Sequence, residues 1–373
     1  MNFSLSEEHV LLRESARRFL EKEADLSALL VPGATVADAG YDKLWPKVAS
    51  LGWPGLIVPE EYGGLGMTTL DLSLILSECG RFLAPCPFFG TLAGTWAVLA
   101  AASPSQRSRW LPEVATGNLT LALGFSGPDG SPERPDNAVT VAVDGERFRL
   151  TGTWHFVVDA ESAGRLIVAA PWQGARRLFS IDRSDTGLSI ERLDWRDITR
   201  QVCTVRAATA EAELLDGSEH DVWPWVRDRL WLVLAAESAG GLRAVLEATT
   251  AYAKERVAFG RPIGAYQSIK HSLADMLAQA ECASTAVLYA GWGLSADDPS
   301  GPIAAAMAQA YASEAYRDAS ARSIQVFGAI GFTWEMKNHL YFKRARANAE
   351  LLGSPALQRE LVIRTLEGRQ LAE

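Results

Sequence analysis

The chain is poor in the residues that build metal and disulfide sites, with four cysteines and five histidines in 373 residues. Cys79, Cys86, Cys203 and Cys282 are scattered, with no CxxC pair and no histidine pair nearby. Neither a zinc site nor a disulfide framework is expected, and a reducing compartment is. No run approaches the roughly 20 apolar residues of a membrane-spanning helix. The first two dozen residues carry charges throughout and lack the apolar stretch of a secretory leader. A cytoplasmic location is the expectation. Positive charge is also in deficit, 36 Lys+Arg against 45 Asp+Glu for a net charge of -9. That argues against nucleic acid or an anionic membrane as a general partner, though a few local cations can still hold an anionic ligand. Internal repeats and low-complexity segments are absent too.

What is present is periodic. Apolar residues recur at helical spacing from Ser4 to Glu23, with Ser6 placed to cap and Glu7 and Glu8 in the first turn. Helical runs follow at Tyr41–Leu51, Thr69–Phe82, Thr91–Ala102 and Ser105–Ala115, with a glycine-rich loop at residues 56–67. The pattern then shortens. Leu119–Phe125, Ala138–Val143, Arg147–Thr151, Arg165–Ala170, Arg177–Ile181, Leu188–Glu191 and Cys203–Ala207 read as strands between Gly, Asp and Pro clusters. From Val222 onward the helical period returns, in Trp231–Arg256, Gln267–Leu294, Ile303–Phe327, Arg344–Leu352 and Gln358–Leu366. The predicted organisation is an N-terminal helical domain (1–118), a middle β domain (119–218) and a C-terminal helical bundle (219–373). Twelve tryptophans call for burial or stacking partners.

Two segments carry more than periodicity. One runs from Tyr252 to Met276 and contains Arg256-x-x-Phe259-Gly260-Arg261-Pro262 and Gln267; the other runs from Gln325 through Gly328, Ala329 and Gly331 to Trp334-Glu335. Taken alone, the first reads as a helix end, with Gly260 at a left-handed cap and Pro262 as the stop. A lone Gly328-x-x-Gly331 likewise reads as a turn. Together with the loop Pro59-Glu-Glu-Tyr-Gly-Gly-Leu-Gly66, they resemble the acyl-CoA dehydrogenases over nearly the whole chain. Trp334-Glu335 followed by His339-Leu-Tyr-Phe-Lys-Arg344 is most similar to the bacterial branch that includes steroid side-chain dehydrogenases. The resemblance implies an α+β fold with a helical N-terminal domain, a small middle β-barrel or sandwich, and a four-helix-bundle-type C-terminal domain.

The resemblance also implies FAD as cofactor, bound across a subunit interface in a tetramer. Arg256 would meet the pyrophosphate, Phe259 would lie beside the adenosine and Gln267 would make a polar contact. Gln325 and the backbone around Gly328, Ala329 and Gly331 would approach the ADP half, all given to a neighbour's flavin. An arginine suits a pyrophosphate because its hydrogen bonds are charge-assisted, and glycines let the main chain come close. An acyl-CoA substrate and an electron-transfer flavoprotein or similar acceptor are implied as partners.

The half of the site that a subunit supplies for itself departs from the family. The usual Thr-Glu-Pro-x-Ala-Gly-Ser-Asp turn reads Phe125-Ser126-Gly127-Pro128-Asp129-Gly130-Ser131, leaving Ser126 as its hydroxyl. The Gly-x-Lys-x-aromatic stretch reads Gly152-Thr-Trp154-His-Phe156, so Phe156 is left to stack while Trp154 replaces the lysine. Desaturation needs a carboxylate to take the α-proton, and that base must lie within hydrogen-bond reach of it. One family position for it falls on Leu352 and the alternative falls at about Leu230 or Trp231. Glu237 is the remaining candidate, Glu350 is two residues out of register and expected to face away on its helix, and Glu335 is expected to anchor the interface loop. His271 and His339 are expected to be polar contacts.

These departures lead to the expectation that the chain is the base-lacking subunit of an α2β2 acyl-CoA dehydrogenase, completing a partner's flavin site. The alternatives are an autonomous homotetramer whose base has moved to Glu237, and a fold relative with other flavin chemistry or a scaffold role.

Overall fold

The computed structural model describes residues 5–131, 138–145 and 147–370. Five helices open the chain: α1 (Glu7–Glu23), α2 (Tyr41–Ser50), α3 (Thr69–Phe82), α4 (Phe88–Ala101) and α5 (Pro104–Ala115). The expected start of the first helix at Ser4 lies outside the described residues. Ser6 caps α1, its side chain accepting from the backbone of His9 while His9 answers the Ser6 N–H. Helix α4 is apolar around almost its whole circumference and is accordingly sheathed by its neighbours.

The middle region holds β1 (Leu121–Gly124), β2 (Thr140–Asp144), β3 (Arg147–Val158), β4 (Arg165–Trp172), β5 (Ala175–Asp182), β6 (Leu188–Arg192) and β7 (Val202–Leu214). The sheet order is β1-β4-β5-β7-β3-β2, with β6 on β7. Strands β1 and β4 pair in parallel, and the other pairs are antiparallel. The long β7 belongs to both halves of this sheet. Leu150, Trp154 and Val205 from one half share a core with Leu166, Val168 and Phe179 from the other.

Two strands run further than their sequence signals. β3 continues to Val158 and β7 to Leu214, because each bends through a residue with positive φ, Phe156 and Thr209, without losing its partners. In β3 the irregularity falls between Trp154 and Val157, where the register shifts as in a β-bulge.

The C-terminal region is built on α6 (Trp223–Glu255), α7 (Gln267–Ser295) and α8 (Gly301–Phe327), closed by α9 (Asn338–Glu350) and α10 (Pro355–Gln370). Helix α6 crosses α3 with backbones touching. A Cβ on Gly240 would lie 1.7 Å from the carbonyl oxygen of Ser77, and one on Gly80 would lie 2.0 Å from that of Glu237. That crossing joins the first helices to the bundle in one continuous core. Among the described residues, no helix is long and apolar enough to cross a membrane.

Two local readings change. Residues 257–262 form a hairpin, β8 (Val257–Ala258) and β9 (Arg261–Pro262), rather than a helix end. Phe259 and Gly260 make its two-residue turn with φ of 51° and 79°, the pairing that a type I′ turn requires. Helix α9 starts at Asn338 and stops at Glu350, whereas the periodicity placed it from Arg344 to Leu352. That shift matters for the site.

Candidate active site

A cavity of about 380 Å³ lies where α4, the middle sheet, α6 and the segment after α9 meet. Phe89, Gly90 and Ala93 come from α4, and Leu123 and Phe125 from β1 and its exit. Phe156 and Val158 come from β3, Trp195 from the loop after β6 and Leu230 from α6. Glu350, Leu351, Leu352, Gly353, Ser354 and Leu357 close the remaining side. The walls are chiefly apolar, with polar groups at Ser126, Asp129, Ser131, Glu350 and Ser354.

The bulge in β3 has a clear effect here. It turns Phe156 into the left-handed region at φ 56° and brings its ring to the cavity wall, 6.1 Å from the Trp195 ring. A non-glycine residue held there stores strain, and such strain is concentrated at functional sites. The Ser126 carbonyl accepts from the His155 N–H at 2.9 Å, so Ser126 and Phe156 are brought to the same cavity. The Ser126 side chain makes no hydrogen bond among the described residues. Trp195 Nε1 is buried without a partner among them as well. Trp154, in contrast, points into the sheet core and donates Nε1 to the Ala169 carbonyl at 2.7 Å. Nothing basic replaces the missing lysine in the lining.

Leu230 and Leu352, from distant parts of the sequence, line the same cavity. Leu352 has φ 65°, and its carbonyl accepts from Trp231 Nε1 at 3.0 Å. Glu350 also lines the cavity, against the expectation that it faces away. Two residues on a helix are about 200° apart, but the helix ends at Glu350, and the chain then turns through Leu351 and Leu352. Glu350 is exposed at the cavity edge. Asp129 is occupied in its own turn, accepting from the Ser131 N–H at 2.9 Å.

Glu237 is not in this wall. It is buried, its carboxylate 2.5 Å from the Arg200 guanidinium and 3.7 Å from that of Arg344, with Asn348 at 3.5 Å. Arg344 in turn binds Asp197 at 2.5 Å. Burial alone would raise the Asp197 carboxyl, but Arg344 and Arg200 beside it bring it below its ordinary value. The cluster extends to Asp159, which accepts from Tyr41 Oη at 2.7 Å and the Gly90 N–H at 2.8 Å. Burial pushes the Asp159 carboxyl up to about 6 against those hydrogen bonds. Phe89 separates the two regions: its ring faces the cavity on one side and lies 4.9 Å from the Arg200 guanidinium on the other. No sequence pattern announces this network, since Tyr41 and Asp159 are 118 positions apart.

The remaining sequence candidates gather at the far end of the bundle. Tyr252 of α6 stacks on Phe327 of α8, with ring centroids 4.1 Å apart. This puts Arg256 and the hairpin beside Gln325, Gly328 and Ala329. Tyr266, the residue before Gln267, donates its hydroxyl to the Ala258 carbonyl at 3.1 Å and so binds the start of α7 to the same end. Phe259 is 96% exposed, an unusual state for a phenylalanine. The side chains of Arg256, Gln267 and Gln325 are exposed and make no hydrogen bond or ion pair among the described residues. Gly328, at φ 68°, has open space where a side chain would go. Gly331 is buried against Phe327 instead. Glu335 and His271 are exposed. His339 is buried with Nε2 unpartnered among the described residues, and burial with Lys343 nearby pushes it down to about 4.

Comparison with known proteins bears on both ends. The profile described as acyl-CoA dehydrogenase, N-terminal domain, matches residues 6–118, and that of the C-terminal domain matches residues 230–367. The chain is 34% identical to the acyl-CoA dehydrogenase IpdE2 of Mycobacterium tuberculosis over 363 residues, 97% of this chain and 96% of the relative. Among solved structures, butyryl-CoA dehydrogenase from Megasphaera elsdenii superposes with a TM-score of 0.89 at 23% identity, over 98% of this chain and 100% of the other. A variant of the Tcur3481-Tcur3483 steroid ACAD superposes at 0.85 with 27% identity, over 99% and 100%.

Proposed function

Since this chain belongs to the acyl-CoA dehydrogenase family, we propose that it serves as the base-lacking subunit of an FAD-dependent acyl-CoA dehydrogenase. It is an oxidoreductase of the EC 1.3 class by that membership, and the family's cofactor is FAD. The observation that carries the finer reading is the meeting of Leu230 and Leu352 at one cavity. Both family positions for the proton acceptor point to the same place, and both hold a side chain that takes no proton.

The donor set at the far end of the bundle suits the flavin. Arg256, Gln267 and Gln325 are uncommitted, Phe259 offers a bare ring, and the open side of Gly328 admits close main-chain approach. Bound there, FAD supplies the hydride acceptor of the reaction. On the cavity side, Ser126 and Phe156 are the residues of this chain that would face a flavin ring, and Ala329 would border the ADP half at the bundle end. Leu230 and Glu255 are about 38 Å apart along α6 at 1.5 Å per residue. One dinucleotide does not touch both ends of the same chain. The arrangement therefore favours a cofactor shared between subunits, with this chain giving Arg256, Phe259, Gln267, Gln325 and Gly328 to its neighbour. A partner subunit would bring the carboxylate. The paired designation of the Tcur3481-Tcur3483 relative supports an enzyme of two different chains. The acyl thioester is oxidised to its 2,3-enoyl form, and an electron-transfer flavoprotein or similar acceptor takes the electrons onward.

The test is to purify the chain alone and measure visible flavin absorbance and dye reduction with acyl-CoA. A colourless, inactive chain that gains both with a second dehydrogenase-like subunit is expected. A yellow, active homotetramer overturns the reading, and the carboxylate at the cavity edge, Glu350, then becomes the residue to replace first.

A further inference from the structure

A cavity that has lost its chemistry is expected to fill with side chains, since interiors are close-packed. This one stays open at about 380 Å³, and two of its wall residues, Phe156 and Leu352, are held at positive φ. Strain of that kind costs on the order of 1–3 kcal/mol per residue and persists only where the surroundings enforce it. Its floor at Phe89, Ala93, Leu123 and Phe125 is wholly apolar, and its edge is polar. The shape takes a hydrocarbon body with a polar neck.

Past Trp195 a second hollow begins, about 390 Å³, and Trp195 lines both. Here Arg196 and Lys343 make no hydrogen bond or ion pair among the described residues. Lys343 Nζ lies 4.8 Å over the Trp334 ring, which also lines the hollow. The neighbouring cations are already spent, Arg192 on Glu161 and Arg200 on Glu237. Of the two acids in the lining, Asp197 is bound by Arg344. An apolar cavity therefore opens beside a hollow with two free cations and two indoles, which is complementary to an apolar acyl group joined to an anionic nucleotide.

We propose that this chain binds an acyl-CoA-type thioester in its own cavity without desaturating it, the acyl group at Phe89 and the phosphates at Arg196 and Lys343. The inference rests on the base-lacking reading, because Leu230 and Leu352 make the bound thioester unreactive. In the assembled enzyme there are then two acyl sites for each flavin, one that turns over and one that only holds ligand.

The probe is an S-alkyl-CoA thioether, which has no carbonyl and hence no acidic α-proton, titrated calorimetrically into the enzyme assembled from this chain and its partner. Two thioethers per flavin are expected. In the double variant Arg196→Ala, Lys343→Ala, one of the two is expected to weaken about tenfold or more and to lose its salt dependence, since each charge-assisted contact is worth roughly 1.5–3 kcal/mol. One thioether per flavin, with flavin in only half the chains, overturns this inference alone. Two per flavin that both ignore the double variant overturn the phosphate placement and with it the proposal. A flavin in every chain overturns the base-lacking reading instead. Retained flavin in the variant shows that it still assembles, and the count in the unsubstituted enzyme decides the matter even if it does not.

Discussion

The indole of Trp231 donates to the carbonyl of Leu352 at 3.0 Å, binding the first long bundle helix to the turn that follows α9. Both residues are almost fully buried. The bond holds the left-handed Leu352 in place, and so fixes the wall in which the two leucines stand where the family positions a base.

Replacing Trp231 with Phe keeps most of the ring volume and removes the donor. A buried carbonyl left without a partner costs about 1–3 kcal/mol. Trp231→Phe is therefore expected to lower the thermal midpoint by a few degrees in a melting scan. An unchanged midpoint would show that the turn is held by other means.

Glu237 offers the sharpest separation between a base and a structural anion. With Arg200 at 2.5 Å and Arg344 at 3.7 Å, its carboxylate neutralises a buried pair of guanidinium groups. Breaking a buried pair leaves an uncompensated charge and costs roughly 3–5 kcal/mol. Glu237→Gln should accordingly unfold at much lower urea than the parent. A variant of normal stability that has lost only turnover would restore Glu237 as the proton acceptor.

The contrast between these two residues shows what a sequence makes legible. Helices and strands could be read because their apolar periods are local, and Arg256 and Gly328 because their motifs are short. Glu237 carries no local mark of its partners, which lie 37 and 107 positions away in Arg200 and Arg344. The turn of Glu350 toward the cavity was hidden for another reason. It depends on where α9 stops, and helix ends are set by tertiary contacts such as the Trp231 bond more than by propensity. The bulge at Phe156 is likewise a property of the β3–β7 pairing rather than of the segment itself.

The crossing of α3 and α6 tolerates no side chain at Gly240. A methyl there would sit 1.7 Å from the Ser77 carbonyl oxygen, and the obstacle is backbone, which cannot rotate away. Gly240→Ala is expected to cost upward of about 3 kcal/mol, the high end for overpacking. Gly33→Ala, where nothing lies within 4 Å but φ is +85°, should cost only its backbone strain. Denaturant midpoints of the two variants side by side give the comparison.

Asp159 gives the fold a pH dependence of predictable sign. Its carboxyl is raised by burial from 3.8 to about 6, so between those values the native state holds a proton that the unfolded chain has released. Its contribution is fully present below 3.8 and is lost as pH rises through about 6. The size follows from about two pKa units at 1.36 kcal/mol each, roughly 3 kcal/mol. Asp159→Asn removes the titrating group and keeps an oxygen for the Tyr41 hydroxyl. Urea unfolding at pH 4.5 and 7.5 should show a smaller loss toward neutral pH in the variant than in the parent. Equal slopes would mean that Asp159 does not titrate in this window.

Arg256 tests the cofactor reading from the other end. It is exposed and unpaired among the described residues, so its removal leaves no buried charge and no broken network. Arg256→Leu should melt within a degree or two of the parent. In the assembled enzyme it should release flavin more readily, by a factor of roughly 10 to 100, from the loss of charge-assisted bonds worth about 1.5–3 kcal/mol. Arg261, whose guanidinium already stacks 4.1 Å from the Tyr266 ring, is the control on the same hairpin. Dialysis against flavin-free buffer, followed by absorbance, separates the outcomes. Flavin retained equally by all three proteins would place the pyrophosphate elsewhere on the interface.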